Sequence, residues 1–209
     1  LQELMVRADD ALKQFAAAHP EAKAANAIWP WSPGGQPALP SFQECYGRKA
    51  AIIGAVDVIL GLGKVLGMTT IRPPGVTGFI DTNYEAKADA AIEALADHDL
   101  VYIHLEAIDE CGHLGDLRLK MQALEDFDTR IVGRVLDAVG RDREIAYAVL
   151  PDHPVPIRLR KHTRTPVPVA ISAPHLEPDA VAYYSETLAP TGGLGHLKGP
   201  EFMRTLLSH

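Results

Sequence analysis

An α/β fold with a largely parallel sheet is the class this sequence predicts, and three features predict it. From Gly75 onward short apolar runs alternate with amphipathic stretches, the pattern of strands joined by crossover helices. The runs at 100–105, 145–150 and 167–171 are apolar at most positions, as strands buried on both faces are. With 209 residues, 47% of them hydrophobic and 22% charged, the chain has the size and composition to enclose a substantial core.

Taken in order, residues 1–19 place Leu1, Leu4, Ala8, Leu12 and Phe15 on one helical face, and His19-Pro20 supplies the stop. Between Trp29 and Pro40 the sequence WPWSPGGQPALP excludes regular structure, because proline lacks an amide donor and restricts its predecessor. A domain junction is expected there. Residues 46–66 read as a helix punctuated by Gly54, Gly61 and Gly63. Thr82 and Glu85 have capping-box spacing ahead of a helix carrying Ala88, Ile92 and Leu95. After the first buried strand, Leu117, Leu124, Ile131, Val135 and Val139 mark the core face of a long helix. Two further strands follow, and Gly192, Gly193 and Gly195 form a loop before a short last helix around 202–207. The chain shows no internal repeat and no low-complexity tract.

Several function classes are disfavoured. The longest apolar stretches, such as 50–60, are broken by Gly54 and Asp57 and fall short of the ~20 residues that cross a bilayer. No membrane association is expected. The chain opens at Leu1 without a basic segment leading into an apolar run, so no secretory signal is expected. Two cysteines, Cys45 and Cys111, are too few for a disulfide framework and suit a reducing, cytoplasmic setting. A net charge of -7 argues against nucleic acid, whose backbone is bound by Lys and Arg releasing counterions.

The chemistry collects at strand ends. Asp109 and His113 follow the first buried strand, Asp152 and His153 follow the second, and His162 precedes the third. In open α/β sheets ligands bind outside the carboxyl ends of the strands, so these side chains should share one rim. A single Asp-x-x-x-His is weak evidence, but repetition at successive strands is not. Imidazole and carboxylate donors suit Zn2+, Mn2+ or Co2+, and two such ions about 4 Å apart stabilise both the attacking and leaving oxygens of a phosphoryl group. Asp109, His113 and His162 would hold one ion. Asp152 and His153 would begin a second site that needs outside ligands.

These residues resemble a known family. The run YIHLEAIDECGH at 102–113 with Gly115-Asp116-Leu117 and Lys120, VLPDHP at 149–154 and KHTRTPVP at 161–168 are similar, in order and interval, to the metal motifs of archaeal-type cofactor-independent phosphoglycerate mutases of the alkaline phosphatase superfamily. GVTGFIDTNYEAK at 75–87, YGRKA at 46–50 and ANAIWPW at 25–31 resemble the same proteins. The resemblance implies an alkaline phosphatase-like fold that is incomplete here. It implies Asp109, His113 and His162 on one divalent ion and Asp152 and His153 on the other. A nucleophilic serine or threonine and an aspartate would come from an absent N-terminal half, so this chain alone should not catalyse. The whole enzyme would interconvert 3-phosphoglycerate and 2-phosphoglycerate without 2,3-bisphosphoglycerate. Residues 1–40 would be the tail of an inserted domain that closes over substrate, and 41–209 the C-terminal part of the metal-binding domain.

Around this set, Lys49 and Arg160 are the cations expected to meet a phosphorylated substrate. Glu106 is expected to orient a ligand histidine. His104, inside the strand, reads as a core histidine, His196 as a loop residue and Cys111 as packing. The alternatives are a related metal-dependent phosphatase, a small-molecule kinase acting on a homoserine-like alcohol, or a metal-binding module without a nucleophile.

Overall fold

Residues 1–30, 34–35, 37–140 and 144–208 are described in the computed structural model, and they fall into two units, Leu1–Leu39 and Pro40–His209. The smaller unit is built on α1 (Gln2–Ala18), followed by a 3-10 turn at Pro20–Ala22. The helix stops as expected, because His19 leaves helical geometry and Pro20 has no amide to continue the ladder. None of its residues is buried, and Leu1, Leu4 and Phe15 of the apolar stripe stand exposed. Of the proline-rich junction, Trp31, Ser32, Pro33 and Gln36 lie outside the described residues.

The larger unit opens with α2 (Phe42–Tyr46), fixed by a Ser41–Glu44 capping box and a left-handed Gly47 at its end. The single helix expected over 46–66 is instead a strand and a helix, β1 (Ala50–Ile53) and α3 (Asp57–Val65). A short apolar run bounded by glycine fits a buried strand as well as a helix turn, and periodicity does not separate them. All of β1 is buried. Gly63 serves packing, since a β-carbon there would come within 2.3 Å of the Ile52 side chain; the small residue lets α3 lie against the sheet.

The chain continues through β2 (Thr69–Ile71), α4 (Tyr84–Ala94) and β3 (Leu100–Ile103). These strands form a parallel sheet in the order β2-β1-β3. Crossovers leave β1 in one direction and return to its other side, which creates a switch point at the carboxyl ends of β1 and β3. β3 is half-buried rather than fully buried, with Tyr102 39% exposed. Asn83, not Thr82, caps α4 by accepting from the Ala86 amide. Thr82 is buried and accepts from the Thr77 amide, while Glu85 pairs with Arg130.

After β3 come α5 (Ala107–Leu114), α6 (Leu117–Asp126), a π-helical segment Phe127–Gly133 and α7 (Arg134–Val139). The buried face of this helical run matches the expected one in part: Ile131 is buried and Val135 and Val139 are half-buried, as read, but the first two turns differ. Leu117 and Leu124 are exposed, while Ala123 and Ile131 are buried, with Leu119 and Phe127 packed against Tyr84, Ala107 and Cys111. Leu117 and Leu124 both lie in α6, ahead of the π segment, where Leu119 and Ala123 face the core instead. β4 (Tyr147–Val149) and β5 (Ala170–Ser172) pair antiparallel, apart from the parallel sheet. The third expected strand therefore runs opposite to the reading. That reversal places the 150–169 connection at the exit end of β4. The unit closes with a 3-10 turn at Ala189–Thr191 and α8 (Gly199–Leu207).

Candidate metal centre

Asp109 and His113 project from α5 one turn apart, so both lie on one helix face. The helix begins directly after β3 and ends at Gly115 in a left-handed cap, which fixes the face against the rim. The 150–169 connection brings the other side chains. Its backbone folds on itself: the Pro156 carbonyl accepts from the Leu159 and Arg160 amides, and the Pro154 carbonyl accepts from Thr163. This closure returns His162 to within stacking distance of His153, with ring centroids 3.8 Å apart. Lys120 of α6 clamps the same connection by donating to the Val155 carbonyl at 2.7 Å. Gly112 permits the contact, because a β-carbon there would sit 2.9 Å from the Val155 carbonyl oxygen.

Four of the five expected ligands converge. His153 Nε2 is 3.0 Å from Asp109 Oδ1, His162 Nε2 is 3.4 Å from the same oxygen, and His113 Nε2 is 3.4 Å from Asp109 Oδ2. Ligand atoms of Asp109, His153 and His162 all lie within 4.8 Å of one another. Asp152 joins at the margin, 3.3 Å from His153 Nδ1 and accepting from the His153 amide at 2.9 Å. His153 is thus as near Asp109 as His113 and His162 are, and the side chains form one continuous cluster.

The hydrogen bonds prepare these groups as donors to a cation. His113 Nδ1 donates to the Arg160 carbonyl at 2.9 Å, so in the neutral ring Nε2 carries the lone pair. That nitrogen faces His162 Nε2 at 3.0 Å. Two imidazole nitrogens brought tip to tip beside a carboxylate, with a third imidazole alongside, fit a divalent ion of borderline character. Arg160 adopts φ 52, a left-handed conformation unusual for a residue with a side chain. This turn aims its carbonyl at His113, while its guanidinium lies over Gly115, where a β-carbon would approach Nε to 2.3 Å.

Other expectations are corrected by placement. Lys49 lies at the amino end of β1, where its carbonyl accepts from Asp99 and Leu100, so it stands at the opposite edge of the sheet from Asp109. Among the described residues Glu106 forms no hydrogen bond or ion pair with His113, His153 or His162; its carboxylate faces His104 Nδ1 at 3.6 Å. His104, set aside as core, has its Nε2 4.0 Å from Asp152 Oδ2. Its imidazole, chiefly, holds the Asp152 carboxyl below the usual range, while burial pushes Glu106 above it. Behind them Lys87 is fully buried, donates to the His104 carbonyl at 3.0 Å and is lowered by burial to about 8. An ionisable pair in a strand-and-helix sequence gave no signal of this arrangement. Cys111 is buried in the core, and His196 is exposed.

Comparison with known proteins agrees with this geometry. The chain is 48% identical over 185 residues to a 2,3-bisphosphoglycerate-independent phosphoglycerate mutase of Methanosarcina acetivorans, covering 88% of this chain and 47% of the relative. It therefore spans about half the length of the curated relatives it matches. The PH0037 protein of Pyrococcus horikoshii superposes with a TM-score of 0.79 at 32% identity, over 83% of this chain and 52% of that one. The cofactor-independent phosphoglycerate mutase of Thermoplasma acidophilum shares the fold, with a TM-score of 0.54 at 22% identity over 75% of this chain and 35% of that one. A family model for the Metalloenzyme superfamily matches residues 14–209, and by that match, which takes in the whole α/β unit and every residue of the cluster, the chain belongs to the Metalloenzyme superfamily.

Proposed function

We propose that this chain carries the divalent-metal centre of a 2,3-bisphosphoglycerate-independent phosphoglycerate mutase, interconverting 3-phosphoglycerate and 2-phosphoglycerate in glycolysis and gluconeogenesis. The observation that carries the reading is the convergence of Asp109, His113, His153 and His162, with Asp152 alongside, in a chain 48% identical to a protein of that name. Two ions, Mn2+, Zn2+ or Co2+, would neutralise phosphoryl oxygens and polarise the attacking and leaving groups when bound. The residues of this chain supply the fixed part of that chemistry. Asp109 offers both oxygens to the three imidazoles around it. The Arg160 carbonyl holds His113 in the donor tautomer, and its guanidinium, carried on the same loop, would meet an anionic phosphate.

The nucleophilic serine or threonine, and the aspartate that completes the second site, belong on this reading to a segment outside these 209 residues. Phosphoryl transfer through that hydroxyl removes any need for 2,3-bisphosphoglycerate. Residues 1–40 are the tail of an inserted domain that closes over substrate. Among the described residues no helix is long and apolar enough to cross a membrane. Two free cysteines suit a cytoplasmic setting.

The test is an assay of a protein comprising this chain and the nucleophile-bearing segment. It is given 3-phosphoglycerate and Mn2+ without 2,3-bisphosphoglycerate, and 2-phosphoglycerate is detected by enolase-coupled dehydration. Product formation lost on chelation and restored by Mn2+ is expected; turnover indifferent to metals contradicts the proposal.

A further inference from the structure

Two buried polar atoms near the cluster have no hydrogen-bond partner: His104 Nδ1 and Glu106 Oε2. They face each other at 3.6 Å. A buried group left unpaired costs on the order of 1–3 kcal/mol, so two such groups pointing at one another mark a hydrogen bond drawn slightly open. On its other side, the His104 ring presents Nε2 to Asp152 Oδ2 at 4.0 Å. Movement of each carboxylate toward the ring by roughly 1 Å closes the two gaps to hydrogen-bond length.

The mounting of His104 is rigid. Its amide donates to the Ile53 carbonyl of the central strand at 2.8 Å, and its carbonyl accepts from the buried Lys87 ammonium at 3.0 Å. Asp152 is the opposite case. It stands on a loop just after β4 with its side chain 55% exposed, and its Oδ1 is occupied by the His153 amide. Its second oxygen is unanchored except toward His104.

We infer that His104, backed by Glu106, is a positioning residue that orients Asp152 for a divalent ion. The inference rests on the metal-centre reading above. With Nδ1 turned to Glu106, the ring presents Nε2 to Asp152. A carboxylate fixed in this way loses less side-chain freedom on binding an ion, as do ligands held by hydrogen bonds from behind in other metal sites.

The experiment is calorimetric titration with Mn2+ of a protein comprising this chain and the nucleophile-bearing segment, comparing wild type with Asp152→Ala, His104→Phe and His104→Gln. Asp152→Ala identifies the binding step that needs this carboxylate. His104→Phe keeps the volume and removes the donor; it is expected to weaken that same step by roughly 10- to 100-fold and to leave any other step unchanged. His104→Gln, whose amide can donate, is expected to recover most of the loss. With Co2+, the visible spectra of wild type and the Gln variant should superimpose, because His104 does not touch the ion. Should the Phe variant fail to fold, His104→Leu carries the same comparison. A wild-type chain that binds no Mn2+ contradicts the metal centre itself. Binding that Asp152→Ala or His104→Phe leaves intact, or a Co2+ spectrum altered in the Gln variant, overturns only the role assigned to His104.

Discussion

His162 meets the other clustered side chains on three sides: 3.0 Å from His113, 3.4 Å from Asp109 and with its ring centroid 3.8 Å from that of His153. Replacing it with Ala is therefore expected to lower Mn2+ affinity by at least about tenfold while leaving the fold intact, as calorimetry and circular dichroism would report. Arg160 offers a cleaner division of labour. Its carbonyl serves His113 and its side chain does not, so Arg160→Gly keeps the metal ligand while deleting the guanidinium. Glycine adopts positive φ without the penalty of about 1 kcal/mol that a side chain brings. Unchanged Mn2+ affinity with weakened binding of phosphate is expected; loss of the ion instead would show that the guanidinium matters to the centre. The residues that converge were legible in the sequence because polar pairs sit where apolar strands end. His104 was not, since a histidine within a strand looks like any core histidine, and only the fold sets it against Asp152 and Glu106.

At the scale of elements, the centre depends on α5 lying close to the 150–169 connection. Gly112→Ala forces a β-carbon against the Val155 backbone, an overpacking expected to cost about 1–3 kcal/mol and, by separating Asp109 and His113 from His153 and His162, to weaken ion binding as well. Thermal unfolding and Mn2+ titration of the one variant read both effects. The helices behind the centre are joined by Arg130, which forms a two-pronged pair with Glu85 and lies 4.5 Å over the Tyr84 ring. That hydrogen bond holds Glu85 at about 2, against an ordinary 4.5. A carboxyl lowered in the folded state stabilises above its unfolded value and loses that contribution as the pH falls from 4.5 toward 2. Because the pair is about 40% exposed, solvent screening keeps its worth at about 1 kcal/mol. Glu85→Gln is thus expected to be less stable by that amount at pH 7 and equal to wild type near pH 2. The strand-helix alternation after Gly75 could be read from the sequence. β1 could not, because its buried run and its neighbouring glycines carry no periodicity, and neither could the π segment within the long helical run.

In the larger unit, the parallel sheet supplies the rim and the antiparallel β4–β5 pair supplies the return path, so side chains more than forty residues apart in sequence, such as Asp109 and His153, meet at one place. The class of fold followed from patterning alone; the separate antiparallel pair did not, since strand direction is set by connections rather than by composition. The proposal divides the work between this chain, which holds metal, and an upstream segment, which attacks phosphate. The chain by itself should therefore bind ions without turning over 3-phosphoglycerate. The most direct test is the metal content, by mass spectrometry of the elements, of the 209-residue chain and its Asp109→Ala variant after equilibration with Mn2+ and gel filtration. Retention of at least one ion per chain by the wild type and its loss from the folded variant are expected; an ion-free wild type, or equal retention by both, contradicts the account.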